Sequence, residues 1–300
     1  MEVDVSAIPT QLNSISAHVV WLAPYPPTDR PVLGAVSGEH GTLLVDAGNS
    51  AAHARLFLSE FARLGRAPAR FLALTHWHWD HVFGADEIDL PTFAHPETRR
   101  KLAEMAHMDW RDAALDRRVK EGSEIAFCRD RMKMELPDRS RLVIRLPEII
   151  VSSRVTLDLG GVSCQIEPVG GDHSPDSMIV SVPEDRVMFI GDCLGEDLYS
   201  GPPSYTTAKL FPLLDRLLSE DVDFYLEGHA PQPVSRQEME EEASFLRKVG
   251  QTVDRLGPDR ALVLETLPAM MDAPLDADTI EVADAFLSGL QKNSVPGRNV

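Results

Sequence analysis

The stretch Leu74-Thr75-His76-Trp77-His78-Trp79-Asp80-His81 places three imidazoles and one carboxylate within six positions. The apolar run Phe71-Leu72-Ala73-Leu74 leads into it. Side chains of this type at the end of a buried strand are costly unless something binds them. Imidazole and carboxylate are ligands for zinc, iron or manganese. Three more metal-capable residues, His173, Asp192 and His229, each stand just past a later apolar β run and beside or near glycine. His76 and His78 are two apart, so an extended backbone sends both to one side. Asp80 and His81 are adjacent and need a turn to face a second point. The natural count is three imidazoles for one metal and two imidazoles with a carboxylate for another, with one carboxylate between. Two metals about 3.5–4 Å apart sharing a hydroxide form a hydrolytic arrangement.

The elements that must position these groups can be read in order. Val19-Val20-Trp21-Leu22 is a first strand, ended by Pro24, Pro26 and Pro27. Residues 32–37 and 42–46 flank the turn Gly38-Glu39-His40-Gly41 as a hairpin ending in Asp46. Ser50 or Asn49 caps a helix over about 51–64, with Leu56, Phe57, Phe61 and Leu64 on one face. A strand from Phe71 to Thr75 then delivers the histidines, and Pro91 to His95 is a short strand before a helix opened by Pro96. Strands return over 154–159, 162–169, 178–182 and 186–190, the last stopping at Gly191-Asp192. A helix over about 205–218 and a strand over 223–226 lead to Glu227-Gly228-His229. The C-terminal part reads as helices over 235–256, 258–266 and 277–290. Strand–helix–strand order with a site at strand C-termini is α/β behaviour.

Between residues 99 and 145 the composition shifts: 13 Lys/Arg stand against 9 Asp/Glu in a chain whose net charge is −18. This reads as a helical insertion laid over the site. Its charge is either a solvated helical face or a lid whose arginines meet an anionic substrate. The chain is otherwise taken as one domain over 1–300, with a helical extension over about 235–300. Those last helices cap the fold, shape the pocket or mediate a homodimer, and no physical argument picks among the three.

The acidic charge speaks against a nucleic-acid partner and against an anionic membrane surface. No apolar run is long enough to span a bilayer, and Met1 to Val5 lacks the apolar core of a signal peptide. Cys128, Cys164 and Cys193 are odd in number and scattered, which suits a reduced, cytoplasmic protein. His18, His40, His53, His95 and His107 stand alone and read as surface or satisfied core residues. Trp77 and Trp79 read as packing on the face opposite His76 and His78.

The residues Thr75-His76-Trp77-His78-Trp79-Asp80-His81, Gly171-Asp172-His173, Phe189-Ile190-Gly191-Asp192 and Gly228-His229, with Asp46 ending the first hairpin, resemble the metallo-β-lactamase superfamily. All five family motifs occur in order over about 15–232. The resemblance implies a four-layer αββα sandwich with the site on one edge. By it, His76, His78 and His173 bind the first metal, Asp80, His81 and His229 the second, and Asp192 bridges. Asp46 would orient rather than ligate. One subclass of true β-lactamases has a cysteine ligand near position 193, within Gly-Gly-Cys; here Asp192 fits the hydrolase pattern better, leaving Cys193 a buried thiol.

The chemistry implied is hydrolysis by a metal-bridging hydroxide on two divalent ions, zinc first, with iron or manganese as alternatives. Asp80 or Asp192 would relay the proton, and Ser174 beside His173 would be a turn residue. The expected substrate is a small-molecule ester, thioester or lactone. A β-lactam, a phosphodiester or mononuclear iron oxygenase chemistry are the other readings. The segment 93–100 and Gly228-His229-Ala230-Pro231 resemble the broad hydrolase-like and SoxH-like branch. Homoserine-lactone hydrolases of the superfamily carry Tyr three residues after the bridging Asp. Gly195 stands there in this chain, with Tyr199 and Tyr205 following as substitutes.

Overall fold

Short runs that bury both of their faces account for most of the architecture. The computed structural model describes residues 7–293; the reading of Met1 to Val5 lies outside the described residues. The first sheet holds β1 (Leu12–Ser14), β2 (Val19–Leu22), β3 (Leu33–Ser37), β4 (Thr42–Val45), β5 (Ala69–Ala73), β6 (Thr92–Ala94) and β7 (Ile149–Ile150), in chain order across the sheet. The second holds β8 (Val155–Asp158), β9 (Ser163–Pro168), β10 (Met178–Val182), β11 (Val187–Gly191), β12 (Phe224–Glu227) and β13 (Val234–Ser235), also in sequential order. β1, β7 and β13, two or three residues long, are too short to show an alternation in sequence.

In β2 every residue is buried, and its two faces serve different cores. Val19 and Trp21 join Val36, Leu43, Val45, Ile166, Val180 and Phe189 between the sheets. Val20 and Leu22 face outward with Leu33, Leu44 and Leu72 toward helices that include α1 (Ala51–Arg63) and α4 (Pro96–Met105). Beyond the second sheet, Ile179, Met188 and Ile190 meet α7 (Thr207–Leu218), α8 (Arg236–Leu256), α9 (Arg260–Met271) and α10 (Ala277–Asn293). Three apolar layers between four structural layers make this an αββα sandwich. Each fully buried large side chain contributes about 1.5–3 kcal/mol. The sheets approach closely at Gly34, where an added Cβ would collide with the Phe189 ring.

α1 is capped as expected: Ser50 Oγ accepts from His53 N at 3.0 Å. Phe57 and Phe61 are buried on it, but the helix stops at Arg63. Leu64 therefore leaves the apolar stripe and is exposed. The segment read as an insertion packs onto the outer core of the first sheet, to which α4 gives Leu102 and Met105 and the following stretch gives Trp110, Leu115 and Met132. α6 (Ala126–Glu135) is the part that reaches the site, with α5 (Asp112–Glu121) packed against it. Before them, α2 (Trp79–Val82) and α3 (Ala85–Ile88) are single turns.

Strand direction decides where the ends fall. β4 and β5 run parallel, as do β11 and β12, and β9 shares their direction because both it and β11 pair antiparallel with β10. The C-terminal ends of β5, β9, β11 and β12 are thereby brought to one edge. Two backbone bonds tie the sheets there: Met178 N to Thr75 O at 2.7 Å and Val32 N to Gly228 O at 2.6 Å. Among the described residues no helix is long and apolar enough to cross a membrane.

Candidate metal centre

Where β5 ends, Asp46 fixes the backbone that carries the histidines. Its Oδ1 accepts from Thr75 N at 2.7 Å, and its Oδ2 accepts from Thr75 Oγ1 at 2.9 Å and lies 2.8 Å from His81 Nδ1. Thr75 Oγ1 also lies 3.1 Å from His76 Nδ1. With Nδ1 so engaged, both rings are left to offer Nε2 to the other ligand-type residues. His78 is extended (ψ 146°) and α2 begins with the next residue, which supplies the turn that Asp80 and His81 require.

The seven ligand-type residues picked out in the sequence fall into two groups. His76, His78 and His173 form one, and Asp80, His81, Asp192 and His229 the other, with the ligand-type atoms of each within 4.8 Å of one another. Asp192 Oδ2 joins them. It is 3.6 Å from His173 Nε2 in the first group, and 3.4 Å from Nε2 of both His81 and His229 in the second. Asp80 Oδ2 is 3.1 Å from the same two nitrogens.

The environment suits cations better than it suits the groups alone. Nε2 of His76, His78 and His173 and Oδ1 of Asp192 are buried without a hydrogen-bond partner. Buried polar atoms in native proteins are overwhelmingly partnered, so several orphans gathered here make the cluster a candidate ion site. Burial, reinforced by neighbouring imidazoles, holds His76 and His78 well below the usual histidine range. His173 is lowered by burial too. In the second group burial would lower the imidazoles, but the Asp80 and Asp192 carboxylates outweigh it and raise His81 and His229 well above that range. Burial would raise Asp80 and Asp192, yet the same two histidines hold both carboxyls well below theirs. The donor set, imidazole with carboxylate, fits zinc, iron or manganese.

Glycines leave space for this packing. An added Cβ at Gly228 would collide with Asp192 Oδ1 and lie 3.0 Å from His81 Cε1. At Gly195 it would lie 2.6 Å from His173 Nδ1.

The centre opens into a cavity of about 780 Å³. α6 and the residue before it supply Ile125, Phe127 and Cys128, and α8 supplies Glu238, Glu242 and Leu246. Pocket shaping, one of three roles open for the C-terminal helices, is therefore filled by α8. No Lys or Arg lines the cavity among the described residues. The arginines of residues 111–129 turn elsewhere: Arg111 to Asp109, Arg118 over the Trp110 ring, Arg129 to Asp130. Of the two readings of this charge, these contacts favour the solvated helical face, because the cations find carboxylates and aromatics on their own segment.

Tyr199 lies against His78 (ring centroids 5.1 Å) and Trp77 (5.4 Å), and its hydroxyl is 3.5 Å from Glu124 Oε1. Tyr205 instead donates to Leu194 O at 2.9 Å. Trp79 packs in the core against Phe83, though its edge reaches the cavity; Trp77 is half-buried under Lys101. Cys193 is buried in the apolar layer behind the centre, where burial pushes its thiol up. Ser174 donates to Asp176 and is a turn residue. Of the isolated histidines, His18 pairs with Asp185 and His95 caps α4. His53 differs: it is buried and neither ring nitrogen has a partner.

Sequence reasoning missed Asp29, which lines the cavity beside His229, and Glu227, Glu196 and Glu242 on its walls. Burial and Asp80 push Asp29 up to about 7, and burial with Glu242 does the same to Glu227. The only signal for Asp29 was the proline-dense turn Pro26-Pro27-Thr28-Asp29-Arg30-Pro31.

The family model described as the metallo-beta-lactamase superfamily matches residues 33–250. No curated protein sequence matches the chain. Among solved structures, a metallo-beta-lactamase from Pontibacter korlensis is 18% identical with a TM-score of 0.56, covering 78% of this chain and 97% of that one. A metallo-beta-lactamase family protein from Thermus thermophilus is 18% identical with a TM-score of 0.57, covering 96% and 97%. A stereoselective inverting sec-alkylsulfatase from a Pseudomonas species is 13% identical with a TM-score of 0.66, covering 96% of this chain and 51% of that one. At these identities the likeness is one of fold.

Proposed function

The chain belongs to the metallo-β-lactamase superfamily, and from that premise we propose that it is a dinuclear metal-dependent hydrolase of a neutral ester, thioester or lactone. The observation that carries the proposal is Asp192 Oδ2, which stands within 3.6 Å of imidazole nitrogens from both groups. In this reading His76, His78 and His173 hold one ion, Asp80, His81 and His229 the other, and Asp192 both. Divalent ions bound there supply a hydroxide at neutral pH, since zinc lowers the pKa of its water to about 7, and polarise the substrate carbonyl.

The chain's own residues do the rest. Asp46 fixes the His81 ring so that Nε2 faces the centre. Asp80 and Asp192, the two carboxylates among the ligand-type residues, are the groups positioned to relay a proton between water and the leaving atom. Tyr199, Leu194, Leu198 and Phe127 supply apolar surface for an acyl or leaving group. The absence of Lys and Arg from the described cavity lining favours a neutral carbonyl substrate over a phosphodiester, a sulfate ester or a β-lactam carboxylate, each of which brings a negative charge. The complete second group favours two ions over a single iron.

Protein loaded with zinc, iron or manganese is assayed on p-nitrophenyl acetate and a thioester beside nitrocefin and bis-p-nitrophenyl phosphate. Turnover is expected on the ester and thioester, abolished by His78→Ala or Asp192→Ala. Turnover confined to nitrocefin or the phosphodiester, or one iron per chain with oxygen uptake, would sink the proposal.

A further inference from the structure

His81 and His229 show one arrangement twice. In each ring Nε2 is 3.1 Å from Asp80 Oδ2 and 3.4 Å from Asp192 Oδ2. Nδ1 of each ring faces a further carboxylate. For His81 that group is Asp46, at 2.8 Å; for His229 it is Asp29 Oδ1, at 3.8 Å. Both aspartates have φ near +60°. A non-glycine residue rarely sits in this left-handed region, and one held there next to a functional site is a reason to ask what it does.

The Asp29 backbone is held from several sides. Tyr25 and Arg30 exchange backbone bonds at 2.9 and 3.1 Å around it, and Asp29 N donates to Pro26 O at 3.2 Å. Asn49 Nδ2 donates to Thr28 O at 2.8 Å. Arg30 is clamped by Glu135 at 2.8 Å. These contacts fix Asp29 behind the most exposed of the seven ligand-type side chains: the His229 side chain is 35% exposed, against 0% for His81.

We infer that Asp29 is a positioning residue for His229, the counterpart of Asp46 for His81, and that binding of the second ion depends on it. The inference rests on the reading of His229 as a ligand of that ion. The physical reason is that a carboxylate facing Nδ1 fixes the tautomer with Nε2 free and raises the basicity of that nitrogen. Closing the present separation to a hydrogen bond takes a shift of roughly 1 Å, within reach of a ring at the cavity rim.

The test needs no substrate. Metal-free protein is titrated with Zn²⁺ against a chromophoric chelator, and Asp29→Ala and Asp29→Asn are compared with wild type. Wild type is expected to bind two ions. Asp29→Ala should weaken the second by about ten-fold or more and leave the first unchanged. Asp29→Asn, which keeps an acceptor, should fall between, and it carries the test if the alanine variant does not fold. Wild-type affinity for the second ion in both variants overturns the inference, as does equal weakening at both sites. An ion-loaded crystal structure with an Asp29 oxygen within about 2.2 Å of the ion also overturns it, by making Asp29 a ligand. Wild-type protein that binds one ion only would instead fail the two-ion reading beneath it.

Discussion

Arg30 and Glu135 meet at 2.8 Å with side chains only 9% and 4% exposed, and Glu135 also accepts from Ser50 Oγ at 2.6 Å. The pair joins the last residue of α6 to the turn that carries Asp29 and to the cap of α1. Removing one partner of a buried pair leaves an uncompensated charge, which costs about 3–5 kcal/mol. Glu135→Ala is therefore expected to lose stability on that scale in urea unfolding of the metal-free protein. A loss within about 0.5 kcal/mol, typical of a surface substitution, would show that water already reaches Arg30.

The two halves of the centre should differ in how they bind ions. Imidazole must be neutral at the ligating nitrogen to bind a metal. Burial keeps His76 and His78 below their usual range, so both are neutral at pH 7. Asp80 and Asp192 raise His81 and His229 well above it, so without an ion both are protonated at pH 7. Ligand ionisation should add no proton release to the binding of the first ion, whereas the second should displace protons from His81 and His229 and bind more weakly as pH falls. Calorimetric titrations at pH 7 in two buffers of different ionisation enthalpy check this. The apparent enthalpy should depend on buffer more strongly for the second ion than for the first, and buffer dependence of equal size in both steps would contradict it.

Gly228 is small for a reason unconnected with backbone conformation. Its φ is not among the positive values, and the constraint is the Asp192 carboxylate against which a Cβ would collide. Gly228→Ala should displace Asp192 or His81 and weaken ion binding about ten-fold or more, with the circular dichroism spectrum unchanged. Two ions bound at wild-type affinity would mean that the β12 turn yields instead.

What could be read from the sequence follows from how each feature is encoded. The convergence of His76, His78, Asp80, His81, His173, Asp192 and His229 was legible because ligand-type residues stand where apolar strands stop. The sandwich was implied by the resemblance those motifs carry; the runs themselves, with β2, β4 and β10 buried on both faces, read only as strands of an α/β chain. Asp29 was hidden inside a proline turn whose local pattern is fully explained by chain reversal. Glu238 and Glu242 were hidden in α8, where acidic residues four apart look like a solvent face until tertiary packing sets them on the cavity wall. The arginines of residues 111–129 are the converse case. Their number was visible in the sequence, but not the carboxylates and rings that hold them away from the centre.

That last point makes substrate charge a test. The cavity walls carry Asp29, Glu196, Glu227, Glu238 and Glu242, and no described lining residue is Lys or Arg. An anionic substrate arm entering this space meets Glu238 and, as pH rises past about 7, the ionised forms of Asp29 and Glu227, in a region of lowered dielectric where repulsion is stronger than in water. A penalty of about 1.4 kcal/mol corresponds to ten-fold in rate. Metal-loaded protein should therefore turn over p-nitrophenyl butyrate with kcat/KM at least about ten-fold above that for mono-p-nitrophenyl glutarate. The gap should narrow as salt is raised, because screening weakens charges exposed to solvent. Equal or faster turnover of the glutarate half-ester would mean that a cation reaches the substrate, and the neutral-substrate reading of the cavity would have to be given up.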